Sequence, residues 1–303
     1  MRFSIIIPTW NNLKYLKLCI DSINKNSTYQ HDLNIHLNEA TDGSLNFVKN
    51  LGIKYSYSEK NIGLCSAVNK ASELANTDFI LYSHDDMYFL PDWDVFLEEE
   101  INKMNTNMYY LSGTTIGPLG CGLNGNKSVN QLNQDEIKNF DFNCGKNIDE
   151  FDEDKLLTNY KNVKYYDHQG SHWAPHLIHK SIWDRVGGFS KEFDPGYCSD
   201  TDLNMKLWNL GVRIFKGINH FRVYHFGSIT TRKKKELVRN KGNKLFLIKW
   251  GVSSDLFVNF YLNSNKPYYG KLKDKPILSL KYFIKFFTCK IKLFFLKIVN
   301  RSQ

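Results

Sequence analysis

Two acidic clusters in this sequence stand where side chains could bind a cation and remove a proton. The first, His84-Asp85-Asp86-Met87, directly follows the apolar run Phe79–Tyr82. Adjacent carboxylates repel each other unless a cation lies between them, so this cluster favours a divalent metal site. A solvated loop with incidental acids is the alternative for so short a motif. The sequence around Asp85 and Asp86 must therefore distinguish a metal site from a solvated loop.

The second cluster, Ser199-Asp200-Thr201-Asp202-Leu203, follows the turn Asp194-Pro195-Gly196 and begins a predicted helix. Ser or Asp caps a helix N-terminus, and acidic residues in the first turn are stabilised by the helix dipole. A carboxylate within hydrogen-bond reach of a hydroxyl can also accept its proton, so one of Asp200 and Asp202 is a candidate general base.

Short apolar strands and amphipathic helices alternate around the first cluster. Over the first hundred residues, strands are predicted at Phe3–Pro8, Asn34–Leu37, Ile53–Tyr57 and Phe79–Tyr82. This alternation predicts a parallel sheet covered by helices, in which ligands bind at the carboxyl ends of the strands. The polar segments Thr9–Asn12, Asn38–Asp42 and His84–Asp86 all follow such ends, so we expect them to meet in one crevice.

The later part of the chain is less regular. Residues 124–162 are rich in Asn, Asp and Glu without apolar periodicity, which predicts a long surface excursion or lid. Beyond it we predict helices at Leu177–Phe189 and Asp202–Leu210, and strands at Val212–Phe215 and Arg222–His225. The expected division is a main domain at 1–230, a basic helical extension at 231–275 and an aromatic, Lys-rich tail helix at 276–303.

Positive charge is concentrated in the last quarter of the chain. The formal net charge is +9, yet residues 1–230 hold 22 Lys plus Arg against 28 Asp plus Glu, and residues 231–303 hold 18 against 3. Lysines interrupt the tail too often for a membrane-spanning helix. Large apolar residues separate them, which argues against nucleic-acid binding and leaves two alternatives: peripheral contact of 276–303 with an anionic membrane, or packing on the domain.

The expected location is the cytoplasm, at or near a membrane surface. The apolar run before Pro8 is too short for a signal peptide, and no segment before residue 276 approaches the length of a membrane span. The six cysteines include no C-x-x-C pair, so we expect reduced thiols, with neither a zinc knot nor a disulfide framework.

In their order along the chain, these motifs resemble the family 2 glycosyltransferases of the GT-A fold. The resemblance runs from residue 3 to about residue 251. It rests on Ile5–Asn12, Asn38–Ser44, Asn61–Leu64 with Asn69, His84–Met87 with Pro91, Val186–Phe189, Ser199–Leu203, His225–Ser228 and Lys249–Gly251. Each motif is weak evidence by itself, and their common order carries the resemblance.

The resemblance implies an α/β fold with a mostly parallel central sheet, and a hexosyltransferase-type enzyme. Such an enzyme moves a sugar, with inversion, from a nucleotide-diphosphate sugar to a hydroxyl of a glycan, lipid-linked glycan or polysaccharide precursor. The implied donor site comprises Pro8, Thr9, Asn11, Glu39, Asn61, Gly63, Asp85 and Asp86. Asp86 and His225 would bind Mn²⁺ or Mg²⁺, with a structural histidine as the alternative for His225, and Asp200 would be the general base. The sequence departs from the family at His84, usually Asp or Asn, and at Ser199, usually Glu.

The segment Asp167–His176 adds a candidate for sugar contact. Three histidines flank Trp173, but Pro175 interrupts any helical ligand face, so we expect Trp173 to stack on a sugar with His172 beside it. Asp202 is a further candidate for acceptor contact, with helix capping as its alternative.

Other classes fit less well, although none of them is eliminated by residues alone. A Rossmann dehydrogenase lacks its G-x-G-x-x-G after the first strand, and a nucleotidyltransferase lacks its glycine-rich, Arg-containing loop. A non-catalytic module that binds sugars or nucleotides is the alternative if His84 and Ser199 mark lost activity. The sequence indicates no oligomeric state.

Overall fold

The computed structural model describes residues 1–118, 144–162, 166–227, 235–264 and 266–299. Its strands are β1 Ser4–Trp10, β2 Asp32–Asn38, β3 Lys54–Ser58, β4 Phe79–Tyr82, β5 Met87–Phe89, β6 Tyr109–Ile116, β7 His168–Gln169, β8 His176–His179, β9 Ile214–His225 and β10 Lys266–Pro267. Its α-helices are α1 Leu13–Asn26, α2 Ser44–Asn50, α3 Leu64–Ser72, α4 Trp93–Asn102, α5 Glu153–Asn159, α6 Lys180–Val186, α7 Ser199–Leu210, α8 Lys235–Trp250, α9 Ser254–Leu256 and α10 Leu280–Val299.

The described strands form one sheet whose N-terminal half is parallel, in the order β3-β2-β1-β4. Every residue of β1 except Trp10 is buried, which explains its continuous run of isoleucines. Beyond β4 the order continues through β8, which pairs antiparallel with both β4 and β6, to the parallel pair β6 and β9. The predicted fold class, α/β with a mostly parallel central sheet flanked by helices, is confirmed.

One predicted helix proved to be partly a strand. Residues 176–179 form β8, and helix α6 begins only at Lys180 and ends at Val186, before Gly187 in the left-handed conformation. Leu177 and Ile178 are fully buried between β4 and β6. Pairing on both sides of β8 outweighs the helical periodicity that suggested a helix from Leu177.

The two predicted strands Val212–Phe215 and Arg222–His225 are one continuous strand, β9. Its pairing with β6 is irregular between Gly113 and Thr114, where residues 219–221 have no partner in the β6 ladder. Polar side chains at Asn219 and His220 break the apolar alternation at this irregularity, so the sequence appeared to contain two strands.

Residues 144–162 pack on the sheet as a small layer. They contain α5 and two 3₁₀ turns, and Cys144, Leu156 and Tyr160 are buried against Tyr88, Tyr224 and Phe226 of β5 and the end of β9. Residues 144–162 of the predicted surface excursion are therefore folded and packed against the sheet. The rest of it, 124–143, lies outside the described residues.

The C-terminal helices extend the same hydrophobic core. The same buried cluster that contains the apolar residues of β9 also contains Phe246 of α8, Leu256 of α9 and Phe260 in the π-helical turn after α9. Helix α10 buries Tyr282 and Cys289 against them, and the predicted tail helix is thus present. Among the described residues, no helix has both the length and the apolar composition needed to cross a bilayer.

Candidate functional site

A cleft opens at the carboxyl ends of the parallel strands. Its volume is about 190 Å³. It is lined by the last residues of β1 and β2, by the residues after β4, by the start of α3 with the loop before it, and by the loop before α7: Pro8, Thr9, Trp10, Asn38, Asn61, Gly63, Leu64, His84, Asp85, Asp86 and Pro195. The three polar segments expected to meet in a crevice do lie together, because parallel strands bring their following loops to one edge.

Glu39 connects three of the loops around this cleft. Its Oε2 accepts hydrogen bonds from Trp10 Nε1 at 2.8 Å and Asn11 Nδ2 at 3.1 Å, and its Oε1 accepts one from the backbone N–H of Asn61 at 3.3 Å. Glu39 itself has φ +61°, an uncommon conformation for a residue with a side chain. The carboxylate thus holds the loops after β1, β2 and β3 in one arrangement.

Asp194 fixes the far wall of the cleft and was missed by sequence reasoning. Its carboxylate accepts from the backbone N–H of Cys65 and the hydroxyl of Ser66, both at 2.7 Å, at the N-terminus of α3. Gly63 has φ +90°, and a Cβ there would lie 2.3 Å from the Asp194 carboxyl carbon. The residue was visible only as a turn former before Pro195, since its partner lies far away in the sequence.

Asp85 lies on the cleft floor and accepts a 2.6 Å hydrogen bond from the Thr9 hydroxyl. Burial, followed by the neighbouring Asp86 carboxylate, raises the pKa of Asp85 to about 7. Two adjacent negative charges are therefore disfavoured here unless a cation or a hydrogen-bond donor binds the pair.

Asp86, His84 and His225 form a compact group of possible metal ligands. His225 Nε2 lies 3.1 Å from Asp86 Oδ1, His84 Nδ1 lies 3.9 Å from the same oxygen, and the two imidazole nitrogens are 3.4 Å apart. The antiparallel register of β5 on β9 pairs Met87 with His225, which brings that histidine beside Asp86.

The chemistry of this group fits a divalent transition metal. All three ligand atoms lie within 4.8 Å of one another. Two imidazoles with one carboxylate suit Mn²⁺ better than Mg²⁺, which prefers oxygen ligands. Burial lowers the pKa of His84 to about 4, which keeps the imidazole in the neutral form that can ligate. His84, the departure from the family pattern, is thus placed among the candidate ligands.

Asp200 lies in the first turn of α7, after a tight turn at Cys198 with φ +69°. Its Oδ1 is buried and has no hydrogen-bond partner among the described residues, and burial raises the pKa of the carboxyl to about 7. Burial and then the nearby Asp200 raise the pKa of Tyr82, whose ring lies 5.4 Å from that of His84. Tyr82 therefore lies close both to Asp200 and to the metal-ligand group.

Asp202 faces the protein interior. It is fully buried, and its oxygens accept from Ser190 Oγ at 2.6 Å, Trp250 Nε1 at 2.8 Å and Lys249 Nζ at 2.9 Å. This placement does not favour the expected contact of Asp202 with the acceptor, because its carboxylate already connects α7 to the end of α8. The motif Lys249–Gly251 has a structural role here.

His172 and Trp173 are held by backbone groups away from the residues that line the cleft. His172 Nδ1 lies 3.0 Å from the carbonyl oxygen of Gly170, and Trp173 Nε1 donates to that of Gly113 at 2.9 Å. Trp173 remains partly exposed. The stacking role expected for it stays a prediction.

Comparison with known proteins agrees with the motif order. Residues 4–143 match the family model described as Glycosyl transferase family 2. No curated protein sequence matches the chain. The resemblance noted in the sequence is confirmed over the matched residues, which contain β1 to β6 and the Asp85–Asp86 pair.

Solved structures share the fold at low sequence identity. S. aureus TarS 1-349 aligns over 81% of this chain and 72% of its own, with a TM-score of 0.53 and 16% identity. The same protein in complex with UDP-GlcNAc aligns over 74% and 58%, with a TM-score of 0.51 and 17% identity. The mannosyltransferase PcManGT from Pyrobaculum calidifontis, in complex with GDP-Man and Mn²⁺, aligns over 84% and 66%, with a TM-score of 0.53 and 12% identity. This chain covers less than two thirds of the length of the TarS chain in complex with UDP-GlcNAc and of the PcManGT chain. The structural similarity to these proteins establishes a GT-A fold.

Proposed function

We propose that this protein, which matches glycosyl transferase family 2 over residues 4–143, is an inverting glycosyltransferase that uses a nucleotide-diphosphate sugar. The observation that carries the proposal is an Asp–Asp pair in the cleft that adjoins a carboxylate–imidazole group, with Tyr82 close to both Asp86 and the unpartnered buried carboxylate of Asp200. Relatives in fold bind UDP-GlcNAc, or GDP-Man with Mn²⁺, which supports a donor of this class.

The donor would lie across the loops that follow β1 to β4. Pro8, Thr9, Asn11, Glu39, Asn61 and Gly63 would contact the nucleotide, and Asp85 its ribose or the donor sugar. Asp86, His225 and His84 would hold a divalent ion, and Mn²⁺ is proposed because PcManGT, a relative in fold, is in complex with GDP-Man and Mn²⁺. When bound, such an ion supplies positive charge beside the diphosphate leaving group.

Asp200 would act as the general base. Its free Oδ1 would accept the proton of the acceptor hydroxyl as that oxygen forms a bond to the anomeric carbon. The bond from that carbon to the diphosphate oxygen breaks, and its electron pair leaves with the nucleoside diphosphate. Attack from the face opposite the leaving group inverts the configuration.

Replacing Asp200 tests the proposed base. We expect Asp200→Asn to lower the transfer rate about 10²- to 10⁴-fold, the usual contribution of base catalysis, while nucleotide binding persists. Asp21→Asn, an exposed residue of α1, is the matched control for loss of one carboxylate. Full activity of Asp200→Asn would refute the assignment. Product analysis distinguishes sugar transfer from nucleotidyl transfer, and a protein that binds donor without turnover would be the non-catalytic module.

Helix α10 is proposed as a peripheral membrane contact that brings the enzyme to its acceptor. Leu280, Ile284, Phe287, Ile291 and Phe294 form one exposed stripe, with Phe287 62% and Phe294 63% exposed. At about 100° per residue, Lys281, Lys285 and Lys292 flank this stripe on one side and Lys290 on the other. An apolar stripe between lysines suits the boundary of an anionic bilayer.

A further inference from the structure

A second and larger cavity lies between the C-terminal helices. Its volume is about 720 Å³, within the range of small-molecule sites. It is lined by residues of α8, of α9 with the residue before it, and of α10: Asn243, Lys244, Leu247, Ser253, Ser254, Asp255, Lys285, Thr288, Cys289, Lys292, Phe295 and Leu296. None of these residues lines the donor cleft.

The lining combines positive charge with an apolar wall. Lys285 is paired with Asp255, whereas Lys244 and Lys292 have no ion-pair partner among the described residues. Leu247, on the same helix as Lys244, and Cys289, on the same helix as Lys292, also line the cavity and are buried. Two free ammonium groups beside aliphatic and aromatic surface suit a ligand with an anionic head and an apolar chain.

This cavity shares a wall with the turn that carries Asp200. The Asn243 side-chain oxygen accepts from Ser254 Oγ at 3.2 Å and from Cys198 Sγ at 3.4 Å. Gly242 packs so closely that a Cβ there would lie 2.5 Å from the Tyr197 carbonyl oxygen. Asp200 lies two positions after Cys198, a span of at most ~7 Å of chain.

The cavity also meets the exposed stripe of α10. Phe295 lines the cavity and is 61% exposed, beside Ile291 at 58%. An apolar chain that leaves the cavity past Phe295 would therefore continue along the stripe proposed to contact the bilayer. A lipid drawn from that surface fits this path, and a water-soluble ligand would leave the apolar exit unused.

We propose that this cavity binds the phosphate-bearing head of an anionic lipid and that this lipid is the acceptor. The phosphate would lie between Lys244 and Lys292, and the start of the apolar chain against Leu247 and Phe295. The proposal rests on the proposed glycosyltransferase function and narrows its acceptor to the lipid-linked class.

Binding of a soluble amphiphile by the full-length protein tests the proposal. Dodecyl phosphate, kept below its micelle concentration, is titrated calorimetrically into wild type and into the double variant Lys244→Gln/Lys292→Gln. The matched control is Lys281→Gln/Lys290→Gln, which removes the same charge from α10 outside the cavity. We expect saturable binding that weakens about tenfold or more in the first variant and is unchanged in the control.

Two results would overturn the lipid site. Equal weakening in both double variants would mean that surface charge alone attracts the probe, and equally tight binding of inorganic phosphate would mean that the apolar wall contributes nothing. UDP and GDP binding in the presence of Mn²⁺ is measured on the same samples. If wild type binds neither nucleotide, the glycosyltransferase proposal fails and the acceptor role with it, whatever dodecyl phosphate does.

Discussion

Asp200 is a carboxyl group whose charge depends on its surroundings. Burial without a hydrogen-bond partner at Oδ1 raises its pKa to about 7, whereas an exposed Asp ionises near pH 3.8. The proposed base must be ionised to accept a proton. It therefore becomes competent in the neutral range. Between about pH 4 and 7 the folded protein must keep this carboxyl protonated while the unfolded chain ionises it, and this difference lowers the stability.

We predict that kcat/KM rises with pH through about 7 and that this rise is absent from the residual activity of Asp200→Asn. Because the folded pKa is raised, wild type loses stability from this group as the pH climbs from about 4 to about 7. Asp200→Asn should escape that loss. Urea unfolding of both proteins across this range measures it, and parallel stability curves would contradict the account.

His84 departs from the family pattern but lies among the proposed metal ligands. We predict that His84→Ala lowers Mn²⁺ affinity about tenfold or more, because one of three protein ligands is removed. Titration of chelator-treated protein followed by the EPR signal of free Mn²⁺ gives the affinity. His220→Ala, an exposed histidine of β9, serves as control. Equal affinities of His84→Ala and wild type would exclude His84 from the site.

At the scale of elements, the cleft depends on how α3 meets the turn before α7. Gly63 and Gly52 both have positive φ, but an added Cβ would strike Asp194 at Gly63 and would meet open space at Gly52. We predict that Gly63→Ala costs about 1–3 kcal/mol more than Gly52→Ala, since it adds overpacking against Asp194 to a backbone at φ +90° and ψ 166° that essentially only glycine adopts. Gly63→Ala should also weaken nucleotide binding.

Denaturant unfolding measures the change in stability of each alanine variant. Calorimetry with UDP and GDP measures whether Gly63→Ala weakens nucleotide binding. If the two alanine variants lowered the free energy of unfolding equally, this account of Gly63 and its contact with Asp194 would be wrong. Asp194 joins residues that the sequence separates widely, so this contact holds the turn before α7 against the start of α3.

Across the whole molecule, charge and apolar surface coincide at one end. Residues 231–303 carry the positive excess, and α10 adds its exposed stripe, whereas residues 1–230 are net acidic. An anionic surface would therefore attract the C-terminal helices and repel the acidic remainder of the chain. On such a surface, this polarity would favour one orientation of the protein.

We predict that Phe287→Ser/Ile291→Ser lowers binding to phosphatidylglycerol-containing vesicles about tenfold or more, because two large apolar side chains are lost from the contact. Co-sedimentation measures the bound fraction. Leu51→Ser/Tyr57→Ser, which removes two exposed apolar residues from the body, is the control. Binding should also fall with added salt. Equal binding by both variants would refute the role of the stripe.

The sequence by itself determined the α/β class, the convergence of the loops after β1, β2 and β4, and the family resemblance. These features depend on local patterns: apolar strands, helical periodicity, and motifs in a fixed order. It also indicated the tail helix. It could not show that the lysines of α10 flank an outward apolar stripe, because burial of Tyr282 and Cys289 decides which face is outward.

Only the tertiary structure decided the contacts between residues far apart in the chain. In the folded protein, Leu177 and Ile178 lie in a strand, and Asp202 accepts a hydrogen bond within the core. Asp194 accepts a hydrogen bond from the start of α3, and His84 lies beside His225. Each result depends on a partner more than 30 residues away, whose position is fixed by sheet register or helix packing. Local sequence carries no signal for such a distance, since it arises only when the whole core closes.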